Sequence, residues 1–193
     1  MAEVSRDAAY FASLYAADPD PWRFTTSAYE AAKYAATVAA IADRRYRSML
    51  EVGCSIGVLS RKVAPLCDAF LGIDITAAPL AEARARCADL PHMRFAPPLT
   101  VPGEWPEGRF DLILLSEVLY FLSETDIWAT AAHVRRSLLP GGRVLLVNWI
   151  GEDVDRQPGD QAAETFLAAI GLTLERQERA EKYRLDLLRL PDG

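Results

Sequence analysis

Four short runs of this chain carry residue types that can do chemistry. The first is Glu51-Val52-Gly53-Cys54-Ser55-Ile56-Gly57. Glycines at a strand-to-helix turn permit a tight backbone and close approach of a ligand, and the helix that follows offers unpaired N–H groups. A dinucleotide fingerprint needs Gly-x-Gly-x-x-Gly, but Ser55 stands in the middle position, and no Lys-Ser/Thr pair follows to make a P-loop. Glu51, two residues before the first glycine, would repel a pyrophosphate and suits a ligand with positive charge near the turn. The second candidate is Asp74, about 17 residues beyond Gly57. An acid there, at the end of a second strand, accepts hydrogen bonds from both ribose hydroxyls of an adenosine ligand. The third is Ser116-Glu117-Val118-Leu119-Tyr120-Phe121, an acid and rings directly after an apolar strand. The fourth is Trp22-Arg23-Phe24 with Tyr29, aromatics in a Pro-bounded segment that either form a lid over a pocket or pack an N-terminal helix on the core. Asn148 and Trp149 end another apolar run.

These runs need elements to hold them. The spacing predicts helices over about residues 3–17 and 27–45, the second with Ser27 as cap and Glu30 three residues on. Strand and helix then alternate. Strands fall at about 49–52, 69–74, 93–96, 110–116 and 143–149, with helices at about 58–67, 78–88, 124–138 and 161–170 between and after them. Pro140-Gly141-Gly142 ends one helix and Gly171 another. Segments 173–177 and 183–190 alternate and pair as a hairpin. Five strands alternating with helices predict an α/β protein with a parallel sheet and right-handed crossovers. Ligands of such sheets sit at the carboxyl ends of the strands, where the candidate runs after the first, second and fourth strands fall.

The 193 residues suit one domain with a core that needs no disulfide staples. The net charge of −6 argues against a duplex-DNA binder, which needs a basic face. No apolar run is long enough to cross a bilayer, and Glu3, Arg6 and Asp7 argue against a secretory signal. Three cysteines, Cys54, Cys67 and Cys87, lie in no metal-like spacing and read as reduced thiols of a cytoplasmic protein. Neither His92 nor His133 sits in a catalytic constellation, and no metal-ligand cluster is present.

The run Glu51-x-Gly53-x-x-x-Gly57, Asp74, and Phe110-Asp111-Leu112-Ile113 leading into Ser116-Glu117 resemble the motifs of class I S-adenosylmethionine-dependent methyltransferases over about residues 46–190. Within that family, Asp20-Pro21-Trp22-Arg23 with Thr26-Ser27-x-Tyr29-Glu30, and Glu117-Val118-Leu119-Tyr120-Phe121-Leu122, resemble the nodulation protein S group, which N-methylates the free amine of a deacetylated chitooligosaccharide. The resemblance implies a Rossmann-like, doubly wound, mostly parallel seven-stranded sheet with a C-terminal antiparallel hairpin and helices on both faces. It implies a single domain over 1–193, with 1–45 as a helical lid and 46–193 as the cofactor-binding core.

The implied cofactor is S-adenosyl-L-methionine, with S-adenosyl-L-homocysteine as product. Glu51, Gly53, Cys54, Ser55, Gly57, Asp74, Ile75, Leu99, Ser116, Glu117, Trp22 and Tyr29 are the implied cofactor-binding residues. Glu117 and Tyr120 are the catalytic candidates, and Tyr29, Tyr120, Asn148 and Trp149 the acceptor candidates. Two positions depart from the family pattern. Ser55 replaces the usual middle glycine, and Leu99 stands about where an acid often receives the adenine amine. The expected acceptor is an amine on an amino sugar, an oligosaccharide or a small metabolite. The alternatives are a small-molecule O-methyltransferase and a non-catalytic module of the same fold that binds a cofactor or partner. Neither nucleic acid nor membrane is an expected partner, and the expected state is a monomer or weak homodimer.

Overall fold

The computed structural model describes residues 4–152 and 157–192. The chain divides into two compact units, residues 7–100 and residues 101–193 with the first six residues. Seven strands form one sheet in the order β3-β2-β1-β4-β5-β7-β6. This is the α/β, mostly parallel sheet with an antiparallel C-terminal hairpin that the sequence predicts.

Within residues 7–100, α1 (Ala8–Ala17) starts where the Asp7 side chain accepts from the Tyr10 N–H. It stops at Asp18, ahead of two prolines that cannot continue a helix. The Ser27 side chain accepts from the Glu30 N–H and caps α2 (Ala28–Ile41), which ends four residues before the expected 45. β1 (Met49–Val52), β2 (Phe70–Ile73) and β3 (Met93–Phe95) pair in parallel, Met49 beside Phe70 and Phe70 beside Met93. All four β1 residues are buried, as a strand covered on both faces requires. The helix expected over 58–67 is shorter. α3 (Val58–Val63) tightens into a 3-10 turn over Ala64–Leu66, because Pro65 has no N–H to continue the α ladder. α4 (Ala77–Arg86) follows β2.

Within residues 101–193, β4 (Phe110–Ser116) and β5 (Leu138–Trp149) are parallel, with α5 (Glu124–Ser137) between them. β5 starts five residues earlier than expected. Pro140-Gly141-Gly142 does not end the helix; it lies in the strand, whose register against β4 shifts between Phe110 and Leu112. A proline is tolerated in a strand at such an irregularity, and Gly141 adopts φ 68° there. α6 (Gly159–Ile170) ends at Gly171 with φ 61°, as expected. β6 (Thr173–Arg179) and β7 (Tyr183–Arg189) form the expected hairpin, and β7 runs antiparallel to β5. The edge strand β6 is almost wholly exposed and carries Glu175, Arg176, Glu178 and Arg179, charges that keep an edge from recruiting another strand.

Candidate functional site

The first cluster of candidate residues lies within residues 7–100, where β1, β2 and β3 end. The loop Gly53–Gly57 contains three left-handed residues, Gly53 at φ 73°, Ser55 at 48° and Gly57 at 76°. Gly57 is needed twice over, because an added Cβ would also lie 2.9 Å from Ala83 of α4. Ser55 accepts the same backbone region without being glycine. Its N–H donates to Asp74 Oδ2 at 2.9 Å, and its hydroxyl lies 2.5 Å from the Tyr15 hydroxyl.

Asp74 follows β2, as the sequence predicts, and braces the loops around it. Oδ1 accepts from the N–H and the hydroxyl of Thr76, each at 3.1 Å. The Asp74 carbonyl accepts from the Leu99 N–H at 3.0 Å, which brings Leu99 to the same cluster. Burial raises the Asp74 carboxyl above the usual range, against the lowering effect of the Thr76 and Ser55 bonds. Ile75 is half-buried beside it. The N–H groups of Gly53 and Cys54 both donate to Ile73, and that of Gly57 to Cys54. In this loop only the Ile56 N–H has no acceptor among the described residues.

Glu51 is 2% exposed, at the end of β1. Oε2 accepts from the Ser60 hydroxyl at 2.5 Å, and the other oxygen has no partner among the described residues. Burial pushes its carboxyl up to about 8, with the Ser60 bond lowering it and Asp74 raising it further. Cys54 is buried, and burial raises its thiol well above the ordinary value, so it is a packed thiol and not a nucleophile.

The N-terminal aromatics form a row. Tyr15 meets Trp22 edge-on at 5.7 Å, Trp22 stacks on Phe24 at 5.6 Å, and Phe24 tilts against Tyr34 at 6.3 Å. Asp20 fixes this segment by accepting from the N–H groups of Phe24 and Thr25 and from the Thr25 hydroxyl. Trp22 therefore reaches the Gly53–Gly57 loop through Tyr15, a residue the sequence analysis did not single out. Burial, then the Asp74 charge, raises the Tyr15 phenol above its ordinary value, so it stays neutral. Tyr29 lies on α2 with the Lys33 ammonium 5.3 Å from its ring centre.

The second cluster lies within residues 101–193. Ser116 ends β4, and Glu117 follows in the left-handed region at φ 60°. The Glu117 N–H donates to the Val147 carbonyl at 2.7 Å, and Oε2 accepts from the Trp149 N–H at 2.8 Å. One residue thus clasps the ends of β4 and β5. Tyr120 lies on a 3-10 turn over Leu119–Phe121 that the sequence did not reveal, tilted against Phe121 at 4.6 Å. Asn148 is fully buried and faces Arg184 across the β5–β7 pair, and neither atom of its amide has a hydrogen-bond partner among the described residues. The Trp149 ring packs on Gly151, with the Lys182 ammonium 5.9 Å from its centre.

The family model for Nodulation protein S (NodS) matches residues 12–183. Nodulation protein S of Sinorhizobium fredii (strain NBRC 101917 / NGR234) is 30% identical over 162 residues, 83% of this chain and 74% of that protein. Nodulation protein S of Bradyrhizobium diazoefficiens is also 30% identical over 162 residues, 83% of this chain and 77% of that protein. Among solved structures, N-methyltransferase NodS from Bradyrhizobium japonicum WM9 in complex with S-adenosyl-L-homocysteine aligns with a TM-score of 0.83. It covers 97% of this chain and 100% of that chain at 21% identity, a likeness of fold. The chain belongs to the nodulation protein S family.

Proposed function

We infer that the chain is an S-adenosyl-L-methionine-dependent methyltransferase that N-methylates an amine on an amino sugar, an oligosaccharide or a small metabolite. The observation that carries this reading is the buried Glu51 carboxyl at the foot of a loop braced on Asp74, in a chain of this family. The donor set fits the cofactor. One Glu51 oxygen has no partner among the described residues, and burial disfavours its charge. An ammonium group would supply the missing partner and hold the carboxylate ionised. Asp74 accepts three hydrogen bonds. A carboxylate has roughly four acceptor sites, and the Ile75 N–H also faces this one, so a ribose hydroxyl would take the place of a backbone donor. Leu99 offers apolar contact and no acid to an adenine, and the Ile56 N–H is open to a carboxylate.

When bound, the cofactor supplies an already activated methyl group and leaves as S-adenosyl-L-homocysteine. The chain's own residues then bind, orient and exclude water. In this reading Ser116 and Glu117 face the cofactor, Glu117 and Tyr120 serve the transfer, and Tyr29, Tyr120, Asn148 and Trp149 line the acceptor side. Glu117 is held in place through the Trp149 N–H and orients an amine or relays its proton. Trp22 and Tyr29 belong to the N-terminal lid, and the chain works as one domain, as a family match spanning 12–183 supports. The three free, buried thiols support a reducing compartment, the cytoplasm. No helix among the described residues is long and apolar enough to cross a membrane. The partners are the cofactor and a small-molecule or oligosaccharide acceptor, and the working state is a monomer or weak homodimer.

The test is calorimetry with S-adenosyl-L-methionine followed by methyl transfer to deacetylated chitooligosaccharides and a panel of amines and alcohols. Binding with turnover on an amine is the expected result. Turnover on hydroxyl acceptors alone would overturn the N-methyl reading, and binding without turnover on any acceptor would make the chain a binding module.

A further inference from the structure

Residues 7–100 hold a concavity whose lining residues the proposed reaction does not use. It is a groove of about 250 Å³ lined by Phe24, the run Thr25–Ala28 and Ala31 on one side, and by Val58, Lys62 and Arg86 on the other. In a chain of net charge −6, none of its nine lining residues is acidic, and two are cationic. Lys62 has no ion-pair partner among the described residues. Arg86 donates its Nε to the Ile56 carbonyl at 2.8 Å, and the rest of its guanidinium has no partner among the described residues. Two of the nearby acids are held in ion pairs, and the third is tied to the backbone of the groove wall. Glu30 pairs with Lys33 at 3.0 Å, Asp89 pairs with Arg61, and Asp20 accepts from Phe24 and Thr25.

The opposite wall is a donor wall. Thr26 brings a hydroxyl with no partner among the described residues, and Ala28 opens α2, where the helix dipole is positive. An anchored guanidinium, an exposed ammonium and hydroxyl donors around a small open groove match a tetrahedral oxyanion. Arg supplies planar hydrogen bonds and Lys a point charge.

We propose that this groove, between the start of α2 and Lys62 and Arg86, binds the phosphate group of a small molecule or free phosphate. The Arg86–Ile56 bond ties its floor to the Gly53–Gly57 loop, but the proposal does not depend on the methyltransferase reading. Exposed Lys62 is the position to change, since its replacement leaves the loop untouched.

The experiment is amide-resolved NMR and calorimetry on the full chain at low ionic strength. Inorganic phosphate, glucose 6-phosphate and sodium chloride of matched ionic strength are the probes. The expected result is saturable shifts centred on Ser27 and Ala28 with phosphate and not with chloride. Lys62→Glu and Thr26→Glu should each weaken binding by at least about tenfold, the loss of one charge-assisted contact, with the thermal midpoint kept. Glucose 6-phosphate binding about tenfold tighter than inorganic phosphate assigns the site to a phosphorylated small molecule, and equal affinity assigns it to the free ion. Absence of saturable shifts below about 10 mM of either probe, a weak affinity by any standard, would overturn the proposal. So would shifts that both variants leave unchanged.

Discussion

The two clusters of candidate residues are built in different ways. Where β1, β2 and β3 end, the backbone does most of the work. Gly53, Ser55 and Gly57 turn left-handed, and Ile73, Asp74 and Leu99 fasten the loops through main-chain groups and one carboxylate. Where β4 and β5 end, side chains do it. Glu117 reaches across to the Trp149 N–H, and Asn148 and Tyr120 stand on elements whose positions depend on long-range packing. Yet the clusters share a feature. The non-glycine residues with positive φ among the described residues are Arg23, Ser55 and Glu117, one in each of three candidate runs. Such backbone costs about 1–3 kcal/mol per residue and persists only where surroundings enforce it. Asp20, Asp74 and the Val147 and Trp149 backbone are those surroundings.

The sharpest way to break the backbone-built cluster is Gly57→Val. The new Cβ would press on Ala83 at 2.9 Å in a conformation that β-branched residues avoid. A loss of roughly 3 kcal/mol or more in urea unfolding is expected, left-handed strain and overpacking together. A variant as stable as the parent would show that α4 moves freely away from the loop.

The side-chain-built cluster is tested through Glu117→Gln. The amide oxygen can still accept from the Trp149 N–H, so the clasp and the fold should survive while the charge is lost. Cofactor affinity should stay nearly normal and single-turnover methyl transfer should fall by about 10–10³-fold, the range of a positioned acid–base group. A parental rate and pH profile would reduce Glu117 to a clasp, and the amine preference would then rest on family membership alone.

Asp74→Ala asks whether the brace also binds. It removes three acceptor contacts in the loop cluster. Calorimetry should show S-adenosyl-L-methionine binding weakened by roughly 1.5–3 kcal/mol, the size of a hydrogen bond to a charged group. Unchanged affinity would confine Asp74 to its structural part.

Glu51 supplies a pH signature that the second cluster lacks. Its folded carboxyl titrates near 8 against an ordinary 4.5. Between those values the folded chain holds a proton that the unfolded chain has released, so stability falls as pH rises through this window and is fullest below it. Urea midpoints measured at pH values across the window should therefore decline for the parent more steeply than for Glu51→Gln. Parallel profiles would mean that Glu51 is already ionised and partnered.

How far each cluster could be read from sequence follows from the same contrast. The Glu51–Gly57 loop and Asp74 were legible because a strand-to-helix turn forces glycine and polar residues at fixed offsets, whatever surrounds it, and Leu99 came only from the family resemblance. The caps Ser27 and Gly171 were legible for the same local reason. The start of β5 was not. Pro140-Gly141-Gly142 carries the local signature of a helix stop, and only pairing with β4 makes it a strand. Tyr15 was placed on its helix, but nothing local marks which of Tyr10, Phe11 and Tyr15 meets Ser55 forty residues on. The surroundings of the buried Asn148 amide likewise depend on β7 and α6, which its own segment does not encode.

The smallest expected effect separates the two explanations of Ser55. If Ser55 stands in place of a glycine because its hydroxyl holds Tyr15, the bond and the backbone strain should nearly cancel. Ser55→Gly relieves about 1 kcal/mol of left-handed strain and removes a hydrogen bond of about the same net worth. Its stability should stay within about 0.5 kcal/mol of the parent, the scatter of a neutral change. Tyr15→Phe keeps the ring against Trp22 but leaves the Ser55 hydroxyl without this partner, at a cost of about 0.5–1.5 kcal/mol. In the Ser55→Gly background the tyrosine hydroxyl has already lost its partner, so Tyr15→Phe should there be neutral or stabilising. A double-mutant cycle by urea unfolding should return a coupling of at least about 0.5 kcal/mol. Additive changes would show that Tyr15 serves the loop only by packing, and that the serine is a cost the fold tolerates without using its hydroxyl.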